Sequence, residues 1–324
     1  MVTIRDVAKY ANVSVATVSR VLNNKGQVSE ETKRNVREAI EHLKYRPNLV
    51  ARTLYKKTSS MIGLIVPDIT NPFFPALART VEDRARSYGY TVILCNTDGS
   101  TEKEADYISS LQQKGIDGII ISTNRSEADD FKDIDIPLVA LDRIVNSEIP
   151  TVTAENKNGA IKATKHLIDV GCQKVVHIQG PRELATTNDR KDGFLEVVQE
   201  ADIEHVVVEA DFDIKVAEET AYQLLQEQTN IDGFFAGSDV IALGIIKAAH
   251  RLGLNIPEDL QIVGFDGIEM GKIFIPSLTT IEQPIYEMGA LAVDLLSQQI
   301  EKKELDKHLY EFPINLVIGN TTKR

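Results

Sequence analysis

Over its first 45 residues the chain repeats apolar positions at helical spacing, in three short bouts separated by turn residues. Ile4, Val7, Ala8 and Ala11 share one helical face, and Thr3 followed by Asp6 makes a capping-box start. Asn12 and Val13 break that helix. Ser14 caps a second, from 15 to about 22 with Val18, Val21 and Leu22 inward, and Asn23, Asn24 and Gly26 end it. Ser29 caps a third, running to about Lys44, whose apolar stripe is Val36, Ala39, Ile40 and Leu43. Three such helices make a minimal bundle. Pro47 then interrupts the chain, and Asn48 caps a segment from Leu49 to about Tyr55 that is too short to be a stable helix alone.

From Met61 the pattern changes to short apolar runs at 62–66, 92–94, 119–121, 138–141, 175–178, 206–208, 234–235 and 262–265, with helical patterns between most of them. Such runs read as strands buried on both faces of parallel sheets. Eight or more of them exceed one comfortable sheet. The expected fold is therefore α/β, two doubly wound parallel-sheet lobes behind a small all-α helix-turn-helix domain, with a ligand crevice at the strand ends between the lobes.

Charge divides the chain at the same place. The net charge is −12, yet residues 1–60 carry +7 and the remainder −19. Phosphates attract the first part and repel the second, so the head is the part expected to touch DNA. Cys95 and Cys172 both sit in apolar runs, as core residues of a reduced cytoplasmic protein, and neither export nor a membrane span is expected. The six His residues lack metal-ligand spacing, and neither a Gly-x-Ser-x-Gly elbow nor a P-loop occurs. No metal, cofactor or catalytic residue is expected, which sets aside an enzyme.

Helix-turn-helix geometry sends the start of the second helix into the major groove. The exposed side chains there are Val15, Ala16, Thr17 and Arg20. The first two suit thymine methyls, and Arg20 suits guanine or phosphate. Thr3, Arg5, Ser14, Ser19 and Asn23 are placed for the backbone. A small bundle used for protein contact is the plainer alternative, and the local charge speaks against it. After Pro47, Leu54 is an apolar side chain on a short basic segment with no core to enter. Such a wedge unstacks a base step from the minor groove while Arg52 and Lys56 neutralise phosphate, the alternative being a plain linker.

The stretches Thr3-Ile4-Arg5-Asp6-Val7-Ala8, Val13-Ser14-Val15-Ala16-Thr17-Val18-Ser19-Arg20-Val21-Leu22-Asn23 and Tyr45-Arg46-Pro47-Asn48-Leu49-Val50-Ala51-Arg52 resemble the head and hinge of the LacI/GalR repressor family. The resemblance implies a helix-turn-helix domain at 1–46, a hinge helix and linker at 47–58, and a ligand-binding and dimerisation core at 59–324. One lobe would cover about 59–156 and 285–310, the other about 157–284 and 311–324. It also implies a homodimer on a pseudopalindromic, bent operator, with Leu54 as the inserted leucine and Ala51 and Arg52 beside it.

A sugar needs charged or amide partners for its hydroxyls and rings for its C–H faces. Asn71, Phe73 and Phe74 follow the first core strand, and Asp142 and Arg143 follow the run 138–141. Asp266 ends 262–265, Gln283 follows 278–281, Arg190 starts the helix after 175–178 and Phe212 follows 206–208. Each alone has a bland reading as a helix cap, a solvated charge or a core ring. As a set they resemble the contact positions of bacterial periplasmic ribose-binding proteins, with departures at Ser238 and Ser122, where those proteins use Asn and a bridging water would fill the gap. That resemblance implies D-ribose as effector and inducer, with Phe73 and Phe74 enclosing the ring against Phe212. Another sugar or a purine is the alternative ligand. A phosphorylated carrier protein as corepressor is a second alternative, which Asp294 and Gln298 disfavour because a phosphoserine needs cations. A stand-alone sugar carrier would have the same crevice without a DNA-binding head.

Overall fold

The first pattern becomes three helices: α1 (Ile4–Tyr10), α2 (Val15–Leu22) and α3 (Glu30–His42). Val7, Ala8, Val18, Val21, Val36 and Ala39 form their common buried core. The ends are fixed locally. Thr3 donates from both N and Oγ1 to the Asp6 carboxylate at 2.8 and 2.7 Å. The Thr17 and Thr32 amides donate to the Ser14 and Ser29 hydroxyls at 3.1 and 3.3 Å, which supplies partners for N–H groups that the helices leave open.

The computed structural model describes residues 2–22, 26–45, 58–123, 131–145, 147–228 and 230–323. The chain divides into two units, Met1–Ser59 and Ser60–Arg324. Asn23, Ala51, Arg52 and Leu54, and with them the segment expected to be a hinge helix, lie outside the described residues.

The second unit holds two six-stranded sheets. The first is ordered β11 (Leu309–Phe312), β5 (Thr151–Ala154), β4 (Leu138–Leu141), β3 (Gly118–Ile121), β1 (Met61–Val66), β2 (Thr91–Asn96). The second runs β12 (Asn315–Val317), β10 (Thr279–Glu282), β9 (Gln261–Asp266), β8 (Gly233–Ala236), β6 (Lys174–Gln179), β7 (Glu204–Glu209). All pairs are parallel except β10 with β12. The sheets are thus near copies of each other. β1, β3 and β4 of one correspond in order to β6, β8 and β9 of the other, and the crevice residues follow the ends of these strands and of β7.

Helices cover both faces, so β3, β4, β8 and β9 are buried along their whole length, which explains their unbroken apolar runs. The helices are α4 (Phe73–Ser87), α5 (Thr101–Gln113), α6 (Asn156–Asp169), α7 (Ala185–Glu200), α8 (Ile214–Glu227), α9 (Asp239–Leu252), α10 (Glu269–Ile273) and α11 (Ile285–Ile300). The chain passes between lobes three times, between β5 and α6, between β10 and α11, and between β11 and β12. The first and third passages lie side by side, the Glu155 N–H donating to the Phe312 carbonyl at 3.0 Å. The change of lobe expected after 310 falls instead at 313–314, because β11 completes the first sheet through Phe312. Its alternate exposure gives only a faint apolar signal.

Candidate functional site

On the head, Val15, Ala16 and Arg20 are exposed at the start and outer face of α2, and Thr17 and Ser19 are half-exposed. Thr3, Arg5 and Ser14 are also exposed. Val15 is 41% exposed, an apolar side chain left in water where a polar one would cost nothing. Its neighbours explain why α2 nevertheless holds: Val18 and Val21 anchor the opposite face.

In the second unit, every crevice candidate lies at a strand's carboxyl end or on the following helix. Asn71 ends the β1 loop, its Oδ1 accepting from the Phe73 amide at 3.1 Å. Phe73 and Phe74 open α4, set edge to face at 5.2 Å and 86°. Both belong to the lobe's apolar core while also lining the cavity, so docking of α4 and presentation of a ring surface are served by the same pair.

Asp142 follows β4 and Asp266 ends β9, at matching places in the two lobes. Both have positive φ, 72° and 120°. Non-glycine residues adopt such values at a cost, and the surroundings must hold them there. For Asp142 the holding groups are on β5: its N–H donates to the Val152 carbonyl at 2.8 Å, and its carbonyl accepts from Thr153 Oγ1 at 2.9 Å. Gln283, at the second passage between lobes, holds Asp266, donating from Nε2 to Oδ1 at 2.8 Å.

Two guanidiniums complete the set. Arg190 donates from Nε to Asn156 Oδ1 at 2.9 Å and from a terminal nitrogen to the Gly237 carbonyl at 2.6 Å, and its Cζ lies over the Phe265 ring, 3.7 Å from the centre. It stands 3.6 Å from Asp266 Oδ1. Arg143 stands 3.6 Å from Asp142 Oδ2 and 5.8 Å from the centre of the Phe74 ring. All four charged groups are buried. Burial raises the Asp142 carboxyl against the pull of Arg143 and Arg190. Burial also pushes Asp266 up to about 7, with Asp142 adding to the effect and Arg190 opposing it. The two arginines are lowered by the same desolvation.

Ser238 caps α9, its Oγ accepting from the Ile241 amide at 3.2 Å, and Phe212 follows β7 against Gly180. One cavity gathers Asn71, Phe73, Phe74, Asp142, Arg143, Arg190, Phe212, Ser238 and Asp266. Ser122 and Gln283 are not on its lining, but Ser122 Oγ and Gln283 Oε1 are buried without a hydrogen-bond partner among the described residues. The space between these side chains that a water can occupy is about 30 Å³, room for little more than a water or two.

The arrangement offers hydroxyl acceptors, fixed donors and ring faces. Among the described residues no group of three or more His, Cys, Asp or Glu is set to hold a metal, and no helix is long and apolar enough to cross a membrane. Burial pushes the Cys172 thiol up to about 12, leaving it inert.

Arg190 does not start α7; the helix begins at Ala185, so Arg190 lies in its second turn. One turn before it, Thr186 also lines the cavity, and the spacing of four along a helix was the signal that finds it. Asp239, buried and accepting from the Ile268 amide at 2.8 Å and from Thr280 Oγ1, braces the turn after Asp266. Its carboxyl is raised well above the usual range, by burial first and by Asp266 next. Glu104, buried on α5, adds its charge to the field at Arg143. Neither Asp239 nor Glu104 carries a motif of its own.

A helix-turn-helix head and a two-lobed core with a sugar-type crevice define a class of small-molecule-responsive DNA-binding proteins. Residues 3–48 match the bacterial regulatory proteins of the lacI family, and residues 59–318 match the periplasmic binding proteins and sugar binding domain of the LacI family. The chain belongs to the LacI family. A ribose operon repressor of Halalkalibacterium halodurans is 56% identical, covering 100% of this chain and 98% of its own. A periplasmic binding protein/LacI transcriptional regulator from Alkaliphilus metalliredigens, complexed with D-xylulofuranose, is 36% identical over 82% of this chain and 100% of its own, with a TM-score of 0.76. The lac repressor dimer bound to operator and the anti-inducer ONPF is 27% identical over 99% of this chain and 98% of its own, with a TM-score of 0.89.

Proposed function

We propose that the protein is a dimeric transcriptional repressor of a ribose-utilisation operon, released from its operator when D-ribose closes the two lobes. The observation that carries this reading is the crevice. Two buried aspartates, one from each lobe, face two buried arginines and three phenylalanines around a single cavity. Asp142 and Asp266 accept from hydroxyls, Arg143, Arg190 and Asn71 donate, and the rings cover the C–H faces. A ligand gripped from both sides favours the closed arrangement, and it alters operator affinity only as far as closure disfavours the DNA-bound form. On the head, Val15, Ala16, Thr17 and Arg20 face the bases and Thr3, Arg5, Ser14, Ser19 and Asn23 meet the backbone, with Ala51, Arg52 and Leu54 completing the DNA contacts. The 56% identity to a ribose operon repressor along the whole chain supports both halves of the reading.

The D-xylulofuranose bound by the relative from Alkaliphilus metalliredigens favours a second ligand of the same size. A phosphorylated carrier protein finds no cationic welcome at Asp294, which is taken by Arg84 at 2.7 and 2.9 Å and by the Tyr88 hydroxyl at 2.8 Å. Titration calorimetry with D-ribose, D-xylulose, D-ribose 5-phosphate and hypoxanthine, paired with fluorescence anisotropy of operator DNA, tests the proposal. Heat with ribose and loss of operator binding on its addition are expected. Heat with another of the four and none with ribose overturns the ribose assignment.

A further inference from the structure

Most hydrogen bonds that shape the crevice stay within one lobe, but one chain of them does not. Arg190 of the second lobe donates from Nε to Asn156 Oδ1 at 2.9 Å. Asn156 opens α6 at the first passage between lobes and is 4% exposed. Its Nδ2 donates to the carbonyl of Ala154, the last residue of β5, at 2.9 Å and lies 3.5 Å from Thr153 Oγ1. Thr153 Oγ1 donates in turn to the carbonyl of Asp142 at 2.9 Å. The connection therefore runs from a guanidinium in one lobe to the strained backbone of an aspartate in the other.

The residue type suits this task. Arg190 Nε–H needs an acceptor and the Ala154 carbonyl needs a donor, and a carboxamide presents both on one short side chain. Asn156 does not line the cavity that gathers the crevice residues. Its neighbours on the side away from that cavity are Glu155, Lys157 and Asp189.

We propose that Asn156 is a positioning residue for sugar binding, which sets the register of Arg190 in one lobe against the strand that holds Asp142 in the other. Resting on the sugar-responsive reading above, this makes effector affinity depend on a side chain outside the crevice. A merely structural Asn156 would stabilise the start of α6, where aspartate serves as well because a helix N-terminus favours negative charge. Here aspartate is not equivalent. It keeps an acceptor for Arg190 and offers nothing to the Ala154 carbonyl.

Full-length protein carrying Asn156→Ala, Asn156→Asp or Thr153→Val is compared with wild type by hydrogen-exchange mass spectrometry without sugar and by calorimetry with D-ribose. Asn156→Ala is expected to speed exchange in both the 138–145 and the 185–190 peptides, in different lobes, and to weaken ribose binding about ten- to a hundredfold. Asn156→Asp restores protection at 185–190 but not at 138–145, and Thr153→Val affects 138–145 alone. Unchanged exchange in either peptide of Asn156→Ala, or full recovery of both by Asn156→Asp, overturns the proposal. If Asn156→Ala does not fold, the other two variants decide. Should wild type give no heat with ribose while the exchange pattern holds, the ribose reading fails and the positioning role stands.

Discussion

Gly180, just past β6, leaves the space that the Phe212 ring occupies. A Cβ at this position lies 2.3 Å from Phe212 Cζ, 2.6 Å from Cε1 and 3.0 Å from Thr187 Oγ1. Carbons in contact rest about 3.5–4.0 Å apart, so Gly180→Ala forces the ring away by about 1.2 Å or more. Thr187 is buried and Phe212 is half-buried, which makes the ring the partner that yields. An aromatic contact shifted by that much forfeits about 0.5–1.5 kcal/mol, equal to about a two- to twelvefold rise in the ribose Kd. Calorimetry on wild type, Gly180→Ala and Phe212→Ala measures this directly, with sugar-free operator affinity as the control for a folded head. Wild-type ribose affinity in Gly180→Ala, in a chain whose operator binding is intact, refutes the placement of Phe212 against the sugar.

Leu54→Ala is expected to lower operator affinity and leave ribose affinity unchanged, as read by anisotropy and calorimetry; loss of both would signal misfolding instead of a lost wedge. Arg190→Lys keeps the charge but loses the guanidinium contact over the Phe265 ring and the directed bonds to Asn156 and Gly237, so ribose binding weakens about tenfold or more. Because the Asp266 carboxyl is raised in the folded protein to about 7 from an ordinary value of 3.8, the folded state holds a proton there that the unfolded chain has released. Its contribution to stability is complete below about pH 4 and is lost as pH rises through about 7. Thermal unfolding of ligand-free Asp266→Asn is therefore expected to depend less on pH between 5 and 8 than that of wild type, and parallel curves for the two would contradict the assignment.

The strands legible in the sequence are those buried on both faces, where every position is apolar. The runs at 119–121, 138–141 and 234–235 sit inside β3, β4 and β8, each of them buried from end to end. β5 escaped notice: Thr151-Val152-Thr153-Ala154 is fully buried, yet its two threonines break the apolar run. One of them is the donor that holds Asp142, so the feature that hid the strand is the one that serves the crevice. β11 and β12 were hidden for the opposite reason, as partly exposed edge strands with alternating or weak apolar signal.

The crevice residues were visible because each stands where a strand ends or on the helix that follows, positions that the apolar runs mark. What pattern alone did not reveal is support. Asn156 and Asp239 act through other residues, so no spacing rule singles them out. The two strained aspartates illustrate the limit, since their residue type could be read at 142 and 266 but the positive φ could not.

Three spans of chain join the lobes, two of them bonded edge to edge through Glu155 and Phe312. A body tied to another by several spans keeps few easy motions, and whatever settles in the crevice can be announced only as a degree of opening or closing. The identity of the guest is erased in that message. Discrimination between one five-carbon sugar and another must therefore rest with the ten side chains that line the cavity. A lineage can therefore change what the repressor listens for by altering those side chains, while the reply it gives stays the same.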